Sequence, residues 1–242
     1  MRVLGLALAA VLLVGMTTGS TMGQNADPED YSDTLSNRQI LVNLSRIAFV
    51  DQRKERLQKW VVPLRIGIVT QTYPDYFEDW VREHARELAK LRGHPIELYF
   101  SPRLKKAGEL PEGFADRNIN VYLYYAPTNE LGKHLTPFFS ESELEFMLEN
   151  ATCFANLRKK GDEIKIAATA FPAELPKEIM RICIVEEITP ILGLANDSDA
   201  VNPSVFNDTN EFNELTGHDK LLLRILYNPK LEVSMVRKEA LR

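Results

Sequence analysis

Between Ile179 and Leu192 a helical wheel is apolar on nearly every side: Ile179, Ile182, Cys183, Ile184, Val185, Ile188, Ile191 and Leu192. A helix with no polar face has no place at a surface and is buried between layers of other structure. The spacing predicts a long helix over 174–192, ended at Gly193, a residue that closes helices in a left-handed turn without a Cβ penalty. Three residues interrupt the apolar pattern. Glu186 and Glu187 put adjacent carboxylates into it, and a buried carboxylate is costly unless paired, hydrogen-bonded or protonated. Pro190 removes the hydrogen bond to the carbonyl of Glu186 and crowds that turn, which predicts a kink.

The rest of the chain must enclose this segment, and its patterning supplies a sheet and further helices. A helix is expected from Ser36, with Ile40, Leu41, Leu44 and Ile47 on one face and Ser36 or Asn37 as cap. The basic stretch from Arg53 to Lys59 reads as a solvated helix or loop. Leu64 to Thr70 alternates and is β-branched, so a strand is predicted. Asp75 to Leu91 carries a helical stripe of Phe77, Trp80, Val81, Ala85 and Leu88. Strands are expected at 96–100 and 119–124, separated by a basic loop, and a short helix at 141–148. Cys153 to Leu157 and Glu163 to Thr169 read as a hairpin around Lys159 to Asp162, with Gly161 in the turn. After the long helix come a polar loop, 195–213, and a last helix, His218 to Tyr227, capped by Thr216. This order gives an α+β class, a mixed and mostly parallel twisted sheet packed on helices.

The chain has 242 residues, ample for a core, and a formal net charge of −5, which leaves no basic footprint for nucleic acid. Arg2, the apolar run Val3 to Met16 and the small and polar residues to Gln24 have the layout of a secretory signal cut near Gly23. The expected organisation is therefore a signal over 1–23, a flexible leader over 24–35 and one domain over 36–242. Export makes the periplasm or the exterior the expected location, with membrane attachment only through an uncleaved signal. In an oxidising compartment Cys153 and Cys183, the only two cysteines, are expected to form a disulfide, the alternative being two buried thiols.

Three stretches resemble the metzincin zinc peptidases. In the zinc version the helix reads H-E-x-x-H-x-x-G-x-x-H or D, with His ligands and a Glu that activates water. Here the frame is Glu186-Glu187-x-x-Pro190-x-x-Gly193-x-x-Asn196, with Glu187 in the place of the general base. Pro203-Ser204-Val205-Phe206-Asn207 occupies the place of the Met-turn, with Phe206 at the Met position. Leu215-Thr216-x-x-Asp219, continued by Leu221-Leu222-x-x-Ile225-Leu226-Tyr227, looks like the final helix of that class. The motif region spans 174–227. A second resemblance is to a family of exported bacterial proteins of unknown function with a zincin-like domain. It is carried by Cys183-Ile-x-Glu-Glu187, Gly193-Leu-x-Asn-Asp-Ser-Asp199, Ser204-x-Phe-Asn-Asp208 and Leu221-Leu-Leu-Arg-x-Leu-Tyr227, and it runs from about Leu41 to the C-terminus.

The resemblance implies a zincin-like fold whose cleft is lined by Glu186, Glu187, Pro190, Asn196 and Phe206. It does not imply a working metal site. Catalytic zinc needs three protein ligands and an open position, whereas Pro190 has no ligating atom and Asn196 is a weak donor. The four histidines read as solvent-facing: His84 on a charged helix face, His94 in a turn, His134 in a loop and His218 at a helix start. Two readings of Glu186 and Glu187 stand at this point. In one, a carboxylate meets an Arg or backbone amides while the other lines a wet groove. In the other, the pair binds a peptide amine or a hard cation. The oxygen-rich loop Asn196-Asp197-Ser198-Asp199, with Asn202, Asn207 and Asp208, suits calcium in its chemistry and ordinary turns equally well. Asn-x-Ser/Thr triplets stand at Asn43, Asn150, Asn196 and Asn207; in a bacterial protein they are chance. Tyr122, Tyr124 and Tyr125 read as sheet packing, with an edge strand beside the cleft as the alternative.

The expected function is that of an exported, catalytically inactive, metallopeptidase-like module that binds a peptide or protein partner in the cell envelope, with no cofactor. The alternatives are a hydrolase with Glu187 as general base and Glu186 as acid partner, and an envelope protein with calcium-stabilised loops.

Overall fold

The computed structural model describes residues 35–49, 56–91 and 94–242, so the signal and nearly all of the leader lie outside the described residues, as do 53–55 of the basic stretch. Helix α1 (Asn37–Ala48) opens with Ser36, whose hydroxyl accepts from the Gln39 amide while the Gln39 side chain returns to the Ser36 backbone. Strands β1 (Lys59–Trp60) and β2 (Leu64–Ile68) follow, then α2 (Asp75–Lys90) and β3 (Ile96–Phe100). The expected basic loop contains α3 (Pro102–Ala107), started by the Ser101 hydroxyl and stopped at Gly108. Next come β4 (Val121–Ala126), α4 (Thr128–Leu135), α5 (Glu141–Asn150), β5 (Phe154–Lys160) and β6 (Glu163–Pro172). The chain ends with α6 (Lys177–Ile188), α7 (Gly217–Leu226) and α8 (Arg237–Ala240).

The sheet is mixed and mostly parallel, in the order β1-β6-β4-β2-β3, with β5 antiparallel to β6 as the hairpin pattern predicts. Helices cover both faces, and side-chain alternation decides which residue serves which core. Val121 and Leu123 of β4 with Ala167 and Phe171 of β6 join α1, α2, α6 and α7 in the larger core. Tyr122, Tyr124, Ala168 and Ala170 face α4 and α5 in the smaller one. Burial on both faces is why β6 reads as a nearly unbroken apolar run. Strand β4 lies between β6 and β2, so the tyrosines are not on an edge strand. Among the described residues no helix is long and apolar enough to cross a membrane.

Helix α6 is shorter than its sequence pattern. Pro176 precedes its first turn, and Pro190, having no N–H to continue the ladder, opens a 3-10 turn over Pro190–Leu192. The expected kink is a stop. Gly193 then leaves with φ +119°, and a Cβ there would lie 2.5 Å from the carbonyl oxygen of Gln58. Cys153 and Cys183 are joined in a disulfide, with 6.0 Å between their Cα atoms. The bond ties α6 to the start of β5.

Candidate functional site

The end of α6 exposes carbonyls that would have continued the helix, and side chains from distant segments satisfy them. Trp60 Nε1 donates to the carbonyl of Ile191 at 2.8 Å, and the Tyr227 hydroxyl donates to that of Leu192 at 2.7 Å. Burial pushes the Tyr227 phenol far up, so it stays a donor. From the opposite side His84 Nε2 lies 3.0 Å from Thr189 Oγ1. The last turn of α6 is therefore held by β1, α2 and the C-terminal boundary of α7, and Glu186 and Glu187 ride on a fixed helix end.

Both carboxylates are half-buried. Among the described residues no hydrogen bond or ion pair meets either one, which corrects the expectation that an Arg or backbone amides would hold one of them. Instead other acids surround them. Burial pushes Glu186 up to about 8, with Asp208, Glu211 and Asp197 adding to the shift. Glu187 is pushed well above its ordinary value of 4.5 by burial and then by Glu186, Asp197 and Asp208. Asp197 rises to about 7 through burial and Asp208, and Asp208 itself is raised by burial and Asp199. Like charges in a partly dehydrated place favour protonation or a bound cationic group.

The remaining sequence-predicted site residues are distributed differently. Phe206 is fully buried in the larger core and Pro190 is buried in the turn after α6, which corrects their assignment to a cleft wall. Asn196 turns to α1, where its side chain donates to the Arg46 carbonyl and its backbone N–H to that of Ile47. Asn207 donates to the Asp199 carbonyl and accepts from Thr209, and Asn210 donates to Asn202. Turn chemistry thus accounts for much of the oxygen-rich loop. Among the described residues no group of three or more His, Cys, Asp or Glu side chains is arranged to hold a metal ion. Of the Asn-x-Ser/Thr triplets, Asn43, Asn196 and Asn207 are engaged in internal contacts, and Asn150 is exposed at the end of α5.

Behind the cluster, Asp219 is fully buried and takes four hydrogen bonds: from Ser204 Oγ at 2.6 Å, from the Thr216 hydroxyl at 2.8 Å and amide at 2.9 Å, and from the Val205 amide at 3.3 Å. One carboxylate caps α7 and anchors the Ser204 turn at once. The Ser204 turn and the start of α7 are thereby joined.

The histidines depart most from expectation. His84 lies on α2 and His218 at the start of α7 as expected, but both are buried; His134 lies in α4 stacked on Tyr124, and His94 keeps its place in a turn, bonded to the Val62 carbonyl. The signal for His84 was present: it falls seven residues after Phe77 and three after Val81, on the apolar stripe of α2. Thr189, His84 and Glu87 form a line in which the imidazole Nδ1 is 3.9 Å from the Glu87 carboxylate. The arrangement has the residue types of a hydrolytic triad, but Thr189 has no exposed surface, so no substrate can reach its hydroxyl. Its role is to hold the helix end.

No curated protein and no solved structure matches the chain. A model of the family described as Protein of unknown function (DUF2927) matches residues 37–242, which covers every element from α1 to the C-terminus, and the chain belongs to that family.

Proposed function

We propose that the protein is an exported, zincin-like module without peptidase activity, which binds a cationic group of a peptide or protein partner in the cell envelope. The observation that carries this reading is the carboxylate cluster at the end of α6, where burial and neighbouring acids raise the proton affinity of Glu186, Glu187, Asp197 and Asp208 and where, among the described residues, no ion pair meets Glu186 or Glu187. An ammonium or guanidinium would relieve that repulsion and donate hydrogen bonds to several carboxylate oxygens. The frame supports the lost-enzyme part of the reading: Pro190 and Asn196 stand where ligands would be, one buried in the turn after α6 and the other bound to α1. Export is supported by the N-terminal signal pattern and by the disulfide.

The test pairs binding with activity. Lys- and Arg-containing peptides are titrated against wild type and Glu186→Gln/Glu187→Gln, and the same preparations are assayed on a peptide library with and without chelator. Saturable binding lost in the double variant, with no hydrolysis, is the expected result. Chelator-sensitive cleavage overturns it. One observation favours a second reading, hydrolysis with Glu187 as base: a carboxyl raised well above 4.5 has the basicity such chemistry uses. Successive helix residues diverge by about 100°, so Glu186 is poorly placed to serve as its acid partner, and metal-independent cleavage abolished by Glu187→Gln alone would establish it.

A further inference from the structure

The geometry points to a second binding site, the groove between α2 and α6, which takes a short zwitterionic ligand: a free amino acid or dipeptide with an apolar side chain. The groove has a volume of about 280 Å³ and lies between Trp80, His84 and Glu87 of α2 and Arg181, Ile184 and Val185 of α6. That is just below the range of roughly 300–1,000 Å³ typical of small-molecule sites, which limits the occupant to one or two residues. It is separate from the carboxylate cluster. Residues 181, 184 and 185 line the groove from α6, and neither Glu186 nor Glu187 is among the residues that line it.

Three features define the ligand. The floor is apolar, formed by Ile184 and Val185, and suits an aliphatic side chain. The rim carries both signs of charge. Arg181 donates through Nη1 to Glu83 and through Nε to the Asn213 carbonyl, and its guanidinium lies over the Trp80 ring, 5.4 Å from the centroid. A five-donor fork anchored this way keeps its Nη2 end for a carboxylate. Glu87 on the same rim is already paired with Lys220 at 3.1 Å, and the exposed Glu214 beside it fits an ammonium. The third feature is His84, at the floor. Thr189 holds its Nε2, and Nδ1, at 3.9 Å from Glu87, is beyond hydrogen-bond distance. Burial and the Arg181 charge hold this imidazole down to about 3. It therefore offers an uncharged polar nitrogen, matched to a backbone amide between the two charged ends.

The experiment is a titration of the folded chain with leucyl-leucine, its N-acetyl form and its C-terminal amide, read by tryptophan fluorescence and by amide chemical shifts. Trp80 lines the groove, whereas Trp60 is buried against Ile191, so a change at Trp80 alone locates the ligand. The expected result is saturable binding of the free dipeptide, weakened about tenfold by either block or by Arg181→Gln. Glu214→Gln, an exposed substitution that leaves folding intact, weakens the free-amine ligands and spares the N-acetyl form. No saturable change, equal binding of the blocked peptides, or wild-type affinity in both variants overturns the proposal. None of these outcomes bears on the carboxylate cluster, whose own variants test that site separately.

Discussion

The indole of Trp60, in a two-residue strand, donates a 2.8 Å hydrogen bond to the carbonyl of Ile191, 131 residues away, in the turn that ends α6. Beside it the Tyr227 hydroxyl takes the next carbonyl, that of Leu192. Buried carbonyls left without a donor cost about 1–3 kcal/mol each. Tyr227→Phe keeps the ring and deletes the donor, while Trp60→Phe deletes the donor and also leaves a cavity where the indole was, so each is expected to lower the melting temperature by several degrees and Trp60→Phe by more. Because the two carbonyls are adjacent, the double variant is expected to depart from additivity, which calorimetry on the four proteins measures.

Gly193→Ala is expected to be far more damaging than its single methyl suggests. The φ of +119° is strained for any residue with a Cβ, and that Cβ would sit 2.5 Å from the Gln58 oxygen, a backbone atom that cannot rotate away. Strain and overlap together are worth more than about 3 kcal/mol. Chemical denaturation of the purified variant checks this, and a loss below about 1 kcal/mol would contradict the close approach.

Removing the disulfide opens a loop of 30 residues between Cys153 and Cys183. The chain-entropy model gives about 3–4 kcal/mol for a loop of that length. Cys153→Ala/Cys183→Ala is expected to unfold at correspondingly lower denaturant. Wild type in strong reductant should approach the variant once the bond, which is buried, becomes accessible on unfolding.

Stability should pass through a maximum in mildly acidic solution. Glu186 rises from 4.5 to about 8 and Asp197 from 3.8 to about 7, so their contribution is fully present below those ordinary values and is lost as pH rises through 7–8. His84 falls from 6.5 to about 3, so its contribution is present above 6.5 and is lost as pH falls toward 3. Melting temperature measured from pH 3 to 9 is expected to decline on both sides. Glu186→Gln should flatten the alkaline limb and leave the acid limb in place; an unchanged alkaline limb would mean that the cluster is already neutralised.

Much of the site region was legible because its signals are local. Ser36 and Thr216 each complete a capping box within three residues, and the hairpin around Gly161 needs only a positive φ between two alternating runs. Gly193 closes the 3-10 turn after α6, although the helix expected to run to 192 already stops at Ile188. Helices α3 and α4 were missed because they are short and amphipathic over one or two turns, too little for periodicity to register. The environments of His84 and His218 were misread although both lie on apolar stripes, because the polar type outweighed the position.

By itself the sequence determined most of the strands and the longer helices, that the helix bearing Glu186 and Glu187 is enclosed, that Pro190 interrupts it and Gly193 turns the chain away, and that two cysteines stand ready to pair. These follow from backbone sterics and from the period of apolar residues. Only the tertiary structure decided which groups come together around that helix end: Trp60, His84 and Tyr227 on its last turn, Asp197 and Asp208 beside its carboxylates, Phe206 in the core. Such meetings join residues tens to more than a hundred positions apart, and whether a carboxylate is paired or crowded by its own kind depends on distances that no local pattern encodes.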